Sequence, residues 1–362
     1  MGWLGSLLGD SLLAGRLLSI ASLLVISAAI ALMTRQMGGS TVVCLLGSLY
    51  FLATMCRFFT GYVGMNDPQL FAQAIMSIGL WLFLRSMKKD SGFMTAFLVM
   101  VLAGFSKHNI IGMPMAAFLW LSMYRPKQMV RCVGWSLVLV LLGLSVCLGL
   151  YGHAFLDNLL APRFRDWRHV LGAVGHLQWV APALICWCFV GFSCRAESSV
   201  RFCNLFILVA LASFFLQKLG DGVSYNAQFD LVIAVSLSVG LAYEYAPRLV
   251  INKNYSPEVL RFVLLVALCT RLCISSRMEP YRLWIDPSFR QEIAIREIEM
   301  AKTIAIIKKM PGNVSGSTYA CYRAGKPFVL DLFNVNQRIK AGQMTQEAYQ
   351  QLLKDKAITF QD

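Results

Sequence analysis

The sequence predicts an all-α polytopic membrane bundle of about ten transmembrane helices, followed by a small soluble α/β domain. Three observations support this prediction. Apolar residues make up 57% of the 362-residue chain and charged residues only 14%, whereas soluble domains carry about 25% charged residues. Apolar runs long enough to cross a hydrocarbon core of about 30 Å recur up to Arg277. After Arg277 the composition becomes that of a soluble domain. A soluble enzyme and a disordered chain are therefore excluded.

The apolar runs divide into ten predicted spans. Their approximate ranges are 11–33, 41–57, 68–85, 92–105, 109–123, 129–151, 178–193, 201–217, 227–246 and 256–275. Alternate connectors are rich in bases, among them Arg35, Arg85 and Arg125. By the positive-inside rule these connectors face the cytoplasm. We therefore expect residues 1–277 to form a transmembrane domain whose N-terminal end lies outside the cytoplasm.

The remaining residues, 278–362, are expected to form a small extracytoplasmic α/β domain. An amphipathic helix is predicted over 287–309, and Gly312 to Gly316 then form a turn. Further elements are predicted as strands over 318–322 and 327–331 and as helices over 333–341 and 345–355.

The net charge of +14 comes from 33 Lys and Arg residues against 19 Asp and Glu residues. In a membrane protein, basic loops usually report topology and contact with anionic lipids. Membrane lipids are thus expected partners and nucleic acid is not. Most of the eleven cysteines lie in or beside apolar runs, where they act as small apolar side chains. Neither a disulfide framework nor a metal site is indicated.

Polar residues gather on the predicted outer side. All four histidines fall there: His108, His153, His169 and His176. The long outer connector 152–177 mixes apolar and charged residues, so it could lie at the membrane interface as an amphipathic helix.

Asp67 is the first candidate site residue. It precedes Pro68, which opens a predicted span, and proline suits the first position of a helix. Asp67 is therefore expected to cap that helix by accepting hydrogen bonds from its free amides. A plain cap is one interpretation. The other is a carboxylate at the outer mouth of the bundle that orients an acceptor hydroxyl, a sugar or a metal.

Lys107 and His108 form the second candidate. As one helix, the apolar stretch 92–123 would be about 48 Å long, too long for a single span. A break at 106–109 would leave two short helices with Lys107 between them. Lys107 then either reaches the interface as a simple anchor or lies in a water-filled recess. In the second case its charge and the following helix N-terminus suit a lipid phosphate.

The third candidate runs from Lys218 through a Gly-Asp-Gly turn to Asn226 and Asp230. An intramembrane carboxylate such as Asp230 is costly unless it faces a partner or water. Arg16 and Arg57, in or beside spans at the same predicted side, are candidate partners.

These residues, in this order, resemble the GT-C superfamily of polytopic membrane glycosyltransferases. The nearest group is the family of protein mannosyltransferases and bacterial aminoarabinose lipid A transferases. The segment 11–19 around Arg16 is similar to the entry of that family's second helix, and Asn66-Asp67-Pro68 to the acidic motif of its fourth. Gly104-Phe-Ser-Lys107 resembles a motif whose lysine faces the lipid phosphate. The segment 324–333 resembles a motif of the extracytoplasmic module in bacterial members.

The resemblance implies an enzyme that moves a sugar from a polyprenyl-phosphate donor to a lipid, glycan or protein acceptor. It would work at the outer face of a bacterial plasma membrane, with inversion at the anomeric carbon. The donor phosphate would be bound by Lys107 with Arg16 or Arg57, while Asp67 serves as base or support. His108, Asn226 and Asp230 would contact substrate. The resemblance does not establish a cofactor, but several relatives use a divalent cation, to which Asp67 and His108 could contribute.

The chain departs from the family pattern at its start. The family's principal catalytic carboxylate lies in the first outer loop, so we expect at least one further helix and its loop upstream. Asn226 is also followed by Ala227, where many bacterial relatives have an aromatic residue. Two alternatives stay open: a transporter whose path is lined by Arg16, Lys107 and Asp230, and a non-catalytic scaffold or fragment of a glycosyltransferase.

Overall fold

A computed structural model describes residues 2–161, 163–249, 256–274 and 279–360. The chain divides into two compact units. The first unit comprises Met1–Tyr151 and Asp166–Arg277, and the second comprises Gly152–Arg165 and Met278–Asp362. The segment 152–165, which lies inside the predicted membrane domain 1–277, thus belongs to the second unit.

The described part of the chain is mostly helical up to Cys273. In chain order the helices are α1 (Gly2–Leu8), α2 (Ser11–Gln36), α3 (Thr41–Phe58), α4 (Pro68–Lys89), α5 (Phe93–Ser106), α6 (Gly112–Tyr124), α7 (Pro126–Tyr151), α8 (His153–Leu159), α9 (Arg168–Val174), α10 (Ala181–Ser193), α11 (Ser198–Lys218), α12 (Phe229–Tyr245) and α13 (Pro257–Cys273). Short 3₁₀ turns lie at Thr60–Tyr62, Gly175–Trp179, Tyr225–Gln228 and Ala246–Arg248.

Six of the described helices are long and apolar enough to cross a membrane. They are α2, α3, α4, α7, α11 and the segment Tyr225–Arg248 that contains α12. A seventh span would result if Arg168–Trp179 and Ala181–Ser193, which meet at a bend of 79°, counted as one. This is fewer than the ten predicted spans. The helices of the other predicted spans have only 13 to 17 residues, about 20–26 Å, because the chain breaks or turns before each can lengthen.

The break expected near 106–109 is confirmed. Helix α5 ends at Ser106 and α6 begins at Gly112, which leaves Lys107 in extended backbone between them. The amphipathic helix expected over 152–177 is not a single element. The structure has α8 there, then irregular chain, then α9 and a 3₁₀ turn, because Gly152 and the residues after Leu160 interrupt the helical backbone.

Helix α12 lies at the centre of the first unit and is buried along nearly its whole length. It approaches α3 closely through two glycines. A Cβ atom at Gly47 would lie 2.8 Å from the carbonyl oxygen of Ser236, and one at Gly240 would lie 2.8 Å from that of Val43. Small residues at these crossings let the two backbones touch, as is common between membrane helices. Helix α7, in contrast, has an exposed apolar surface along its span.

The second unit is also mostly helical. After α8 its elements are α14 (Glu279–Ile285), α15 (Pro287–Lys309), β1 (Asn313–Ser315), α16 (Thr318–Arg323), α17 (Leu332–Lys340), α18 (Gln346–Asp355) and β2 (Ile358–Phe360). The helices predicted over 287–309, 333–341 and 345–355 are confirmed to within a residue.

The two strands predicted in this unit are wrong. Residues 318–322 form helix α16, because the Ser317 hydroxyl accepts a hydrogen bond from the Ala320 amide and caps a helical turn. Residues 327–331 have no regular structure. The strands that do form, β1 and β2, are three residues long and pair in parallel, with Val314 opposite Thr359. All eleven cysteines lie in the described residues, and each is a free thiol there.

Candidate functional site

The candidate site begins at an ion pair between Asp67 and Lys107. The Lys107 Nζ atom lies 3.2 Å from Oδ1 and 3.4 Å from Oδ2 of Asp67. The two side chains are 24% and 26% exposed, so the pair is neither sealed in the core nor free in solvent. This geometry brings together two residues that the sequence places forty positions apart.

Local structure explains how each charge is held. Asp67 has extended backbone and caps α4, as predicted: its Oδ1 accepts from the Gln69 amide at 2.7 Å, and Pro68 takes the first helical position. Lys107 ends α5, where its own amide donates to the Ala103 carbonyl. The pair therefore joins the first turn of α4 to the last turn of α5.

Beneath the pair, a polar ladder connects α4 to the chain before and within α12. We use this name for Gln69, Gln73, Asn226 and Asp230. The Asn226 Nδ2 atom donates to Gln69 Oε1 at 3.1 Å, and Gln73 Nε2 donates to Asp230 Oδ1 at 2.9 Å. Gln69 and Gln73 are four residues apart and share one face of α4. Asn226 lies in the 3₁₀ turn before α12, and Asp230 lies in the first turn of α12. The ladder holds the start of α4 at a set position against α12.

Asp230 is almost fully buried, at 2% exposure, yet both its oxygens have partners. The second oxygen, Oδ2, accepts from the Gly112 amide at 2.8 Å, at the beginning of α6. Neutral donors thus take the place that we expected Arg16 or Arg57 to hold. A glycine is required at 112 because a Cβ atom there would lie 2.4 Å from Asp230 Oδ2.

The two candidate arginines lie in different surroundings. Arg16 is exposed on α2 and follows Gly15, whose Cβ position would fall 1.8 Å from Asn66 Oδ1. Its turn of α2 therefore packs against the residue before Asp67. Arg57 ends α3, where its guanidinium donates to the carbonyl of Cys273 at 3.4 Å, at the end of α13. The structure thus brings the Arg16 turn to the loop that carries Asp67, and it brings the Arg57 guanidinium to the end of α13.

His108 is exposed and directly follows Lys107. Within the described residues no three His, Cys, Asp or Glu side chains come together in a way that could hold a metal ion. Asp67 and His108 therefore have no third ligand of these types beside them. What the site offers is a cation and a carboxylate in contact, together with the amides of the ladder.

Three contributors were missed from the sequence: Gln69, Gln73 and Gly112. The two glutamines had a signal, because they lie at i and i+4 within an otherwise apolar helix that starts just after Asp67. Gly112 had none, since its contact with Asp230 spans more than a hundred residues. No family model, curated protein or solved structure matches this chain. The site is therefore interpreted from its own geometry.

Proposed function

We propose that this membrane protein is a glycosyltransferase that moves a sugar from a polyprenyl-phosphate donor to a lipid, glycan or protein acceptor. The reaction would take place at the extracytoplasmic face of a bacterial plasma membrane. The single observation that supports this proposal best is the contact between the Lys107 ammonium, at the end of α5, and the Asp67 carboxylate, at the start of α4. Glycosyl transfer from a phosphate needs one group of each charge at one place.

In the proposed reaction, the acceptor hydroxyl oxygen forms a bond to the anomeric carbon, and the bond from that carbon to the phosphate oxygen breaks. The phosphate departs as an anion, since its second pKa is near 6, so no general acid is needed. Lys107 neutralises the charge that develops on it. Asp67, or a carboxylate that it supports, takes the proton of the attacking hydroxyl.

The ion pair would keep the site inactive until the donor binds. With the pair closed, the charges of Lys107 and Asp67 satisfy each other. A donor phosphate that takes over the Lys107 ammonium frees the Asp67 carboxylate for the acceptor hydroxyl. Binding of the donor would thus prepare the base, which favours an order in which the donor binds first.

The remaining candidates have supporting roles in this proposal. Gly15, the residue before Arg16 on α2, packs against Asn66, and in this proposal Arg16 assists at the phosphate. Asn226 and Asp230 fix the start of α4 through Gln69 and Gln73 and therefore position Asp67. His108 borders Lys107 on the exposed side. Arg57, at Cys273, is the weakest of the proposed phosphate ligands.

The test is sugar transfer by the full chain in membranes supplied with polyprenyl-phosphate sugars. Lys107→Met and Asp67→Asn should each lower transfer by at least about a hundredfold, because each removes a charge used in the transition state. Asn keeps the helix cap, so folding should persist. The matched control is the pair of Asp90 and Arg125, at the other end of α4. Asp90→Asn and Arg125→Gln should leave transfer unchanged.

Full transfer by both site variants would contradict the proposed roles. Absence of transfer by the parent chain, combined with uptake of a solute that depends on Asp230, would instead favour the transporter. Retained folding is checked by thermal unfolding in detergent, which separates a lost charge from a lost structure.

A further inference from the structure

A second group of basic side chains surrounds a cavity of about 300 Å³ in the first unit. Four basic residues line it: Arg168, His169, His176 and Lys218. No acidic residue is among the lining residues that the structure describes. The volume lies at the lower end of small-molecule sites. Such a lining presents positive charge to whatever enters.

Lys218 is the least exposed of these groups, at 6%. Its Nζ atom donates to the Val223 carbonyl at 2.7 Å and lies 5.7 Å from the centre of the Tyr225 ring. An ammonium has three donor hydrogens, and among the described residues this carbonyl is its one hydrogen-bond acceptor. A buried cation without a countercharge is costly, so an anion in the cavity would stabilise it.

Aromatic rings hold His176 in the wall of the cavity. His176 stacks on Trp179 with ring centroids 5.5 Å apart and meets the Tyr225 ring edge-on at 4.8 Å. Its Nδ1 atom is buried and has no hydrogen-bond partner in the described structure. The other lining residues are small or apolar: Gly172, Ala173, Gly220, Gly222 and Val223.

Two carboxylates lie close by in sequence. Asp166 accepts a hydrogen bond from the Arg168 amide at 2.9 Å. Asp221 lies between the two glycines of the loop but does not line the cavity. Neither carboxylate therefore occupies the cavity in place of an external anion.

The cavity adjoins the site described above. Gln217, the residue before Lys218, accepts a hydrogen bond from the side chain of Asn109 at 3.0 Å, two residues after Lys107. The loop after Lys218 leads to Asn226 of the polar ladder. The C-terminal end of α11 thus contacts the segment that follows Lys107.

We propose that this cavity is an anion site for a phosphate group, carried either by a lipid headgroup or by a soluble phosphate. The shared chemistry is a dianionic or monoanionic oxyanion that accepts hydrogen bonds from Arg168, Lys218 and the histidine rings. The inference goes beyond the proposed sugar transfer and does not depend on it, because phosphate binding needs no reaction.

The experiment measures binding by calorimetry to the purified full chain in a neutral maltoside detergent. Lys107→Met serves as the background, because it removes the main phosphate ligand of the other proposed site. The probes are inorganic phosphate and dioctanoyl phosphatidic acid, with dioctanoylglycerol as the probe that lacks phosphate. Phosphatidic acid should bind and dioctanoylglycerol should not. If inorganic phosphate competes with phosphatidic acid, the site binds the phosphate group itself. If phosphatidic acid binds and inorganic phosphate does not, the site binds a lipid headgroup.

Replacing Arg168 and His169 together by Gln should weaken binding at least about tenfold, since two donors to the anion are lost. Both are exposed, so the fold should persist. Lys218→Gln is the second variant, checked for folding by thermal unfolding. Arg195→Gln is the control, because this arginine stacks on Phe192 and is not among the residues that line the cavity. Failure of both phosphate probes to bind would overturn the proposal, as would equal weakening by the control. Neither result would touch the roles of Asp67 and Lys107.

Discussion

Asp67 performs two separable tasks at the residue scale. As a helix cap it satisfies an amide of α4, and as an ion it meets Lys107. A pair that is about a quarter exposed contributes only about 0–1 kcal/mol to stability. The charge is therefore a small part of the folding energy, which makes it available for chemistry.

The first prediction follows from this division. Asp67→Ala should destabilise the protein by about 1 kcal/mol because the cap is lost, whereas Asp67→Asn should cost only a few tenths. Thermal unfolding of the detergent-solubilised chain measures both. If Asp67→Ala and Asp67→Asn lower the free energy of unfolding by the same amount, the cap has no separate role.

A second residue-scale prediction concerns Gly112. Gly112→Ala should lower the free energy of unfolding by at least about 2 kcal/mol. The new methyl group would push the Asp230 carboxylate away from the backbone amide of residue 112 and break their hydrogen bond. Gly104→Ala is the matched control in the preceding helix, where a Cβ atom meets nothing within 4 Å. That substitution should be neutral or stabilise the helix by up to about 1 kcal/mol. Unfolding midpoints that fall equally for both variants would contradict the tight contact.

At the element scale, the short helices α5 and α6 decide where Lys107 lies. In one continuous helix Lys107 would lie in the middle of the helix. The break instead puts its ammonium at the end of α5, beside the start of α4. Gly112 begins α6, so its amide has no acceptor within that helix. It donates a hydrogen bond to Asp230 instead. The break is therefore stabilised by a buried partner on α12 as well as by its own sequence.

Helix α15 supplies the third prediction, at its N-terminus. The Ser288 hydroxyl, the Phe289 amide and the Arg282 guanidinium all hydrogen-bond Asp286 and lower its pKa to about 2. Because the folded pKa lies below the unfolded value near 3.9, this stabilisation is fully present above about pH 4 and is lost as the pH falls toward 2.

Asp286→Asn should remove that pH dependence. The difference in unfolding temperature between the parent and the variant should be largest near neutral pH and shrink below pH 4. Glu299→Gln, at an exposed position of the same helix, is the control for the loss of a carboxylate charge. A constant difference across the range would contradict the assigned capping role.

At the scale of the whole molecule, the orientation in the membrane can be tested at the two ends of the bundle. His108 lies beside the Asp67 end of α4, and Lys89 ends the same helix. The positive-inside rule places Lys89 in the cytoplasm. With His108→Cys, a membrane-impermeant maleimide should label intact cells above the parent background. With Lys89→Cys it should do so only after permeabilisation, and the reverse pattern would invert the topology.

The sequence by itself determined the membrane class, the break between α5 and α6, the cap at Asp67 and the main helices of the second unit. Each depends on local composition, helix length or a capping side chain, which neighbouring residues control. The sequence predicted ten spans, of which the described residues show six that are long and apolar enough to cross a membrane, and the full count stays a prediction. The sequence misassigned residues 318–322, where a serine cap outweighed strand propensity.

Only the tertiary structure decided which charges meet. Asp230 pairs with neutral donors on α4 and α6, Arg57 lies at α13, and Lys218 joins two histidines around a cavity. These contacts span up to 216 residues. They depend on how helices cross, which small residues such as Gly15, Gly47 and Gly240 permit by letting backbones approach. Composition and spacing along one chain carry no information on such crossings.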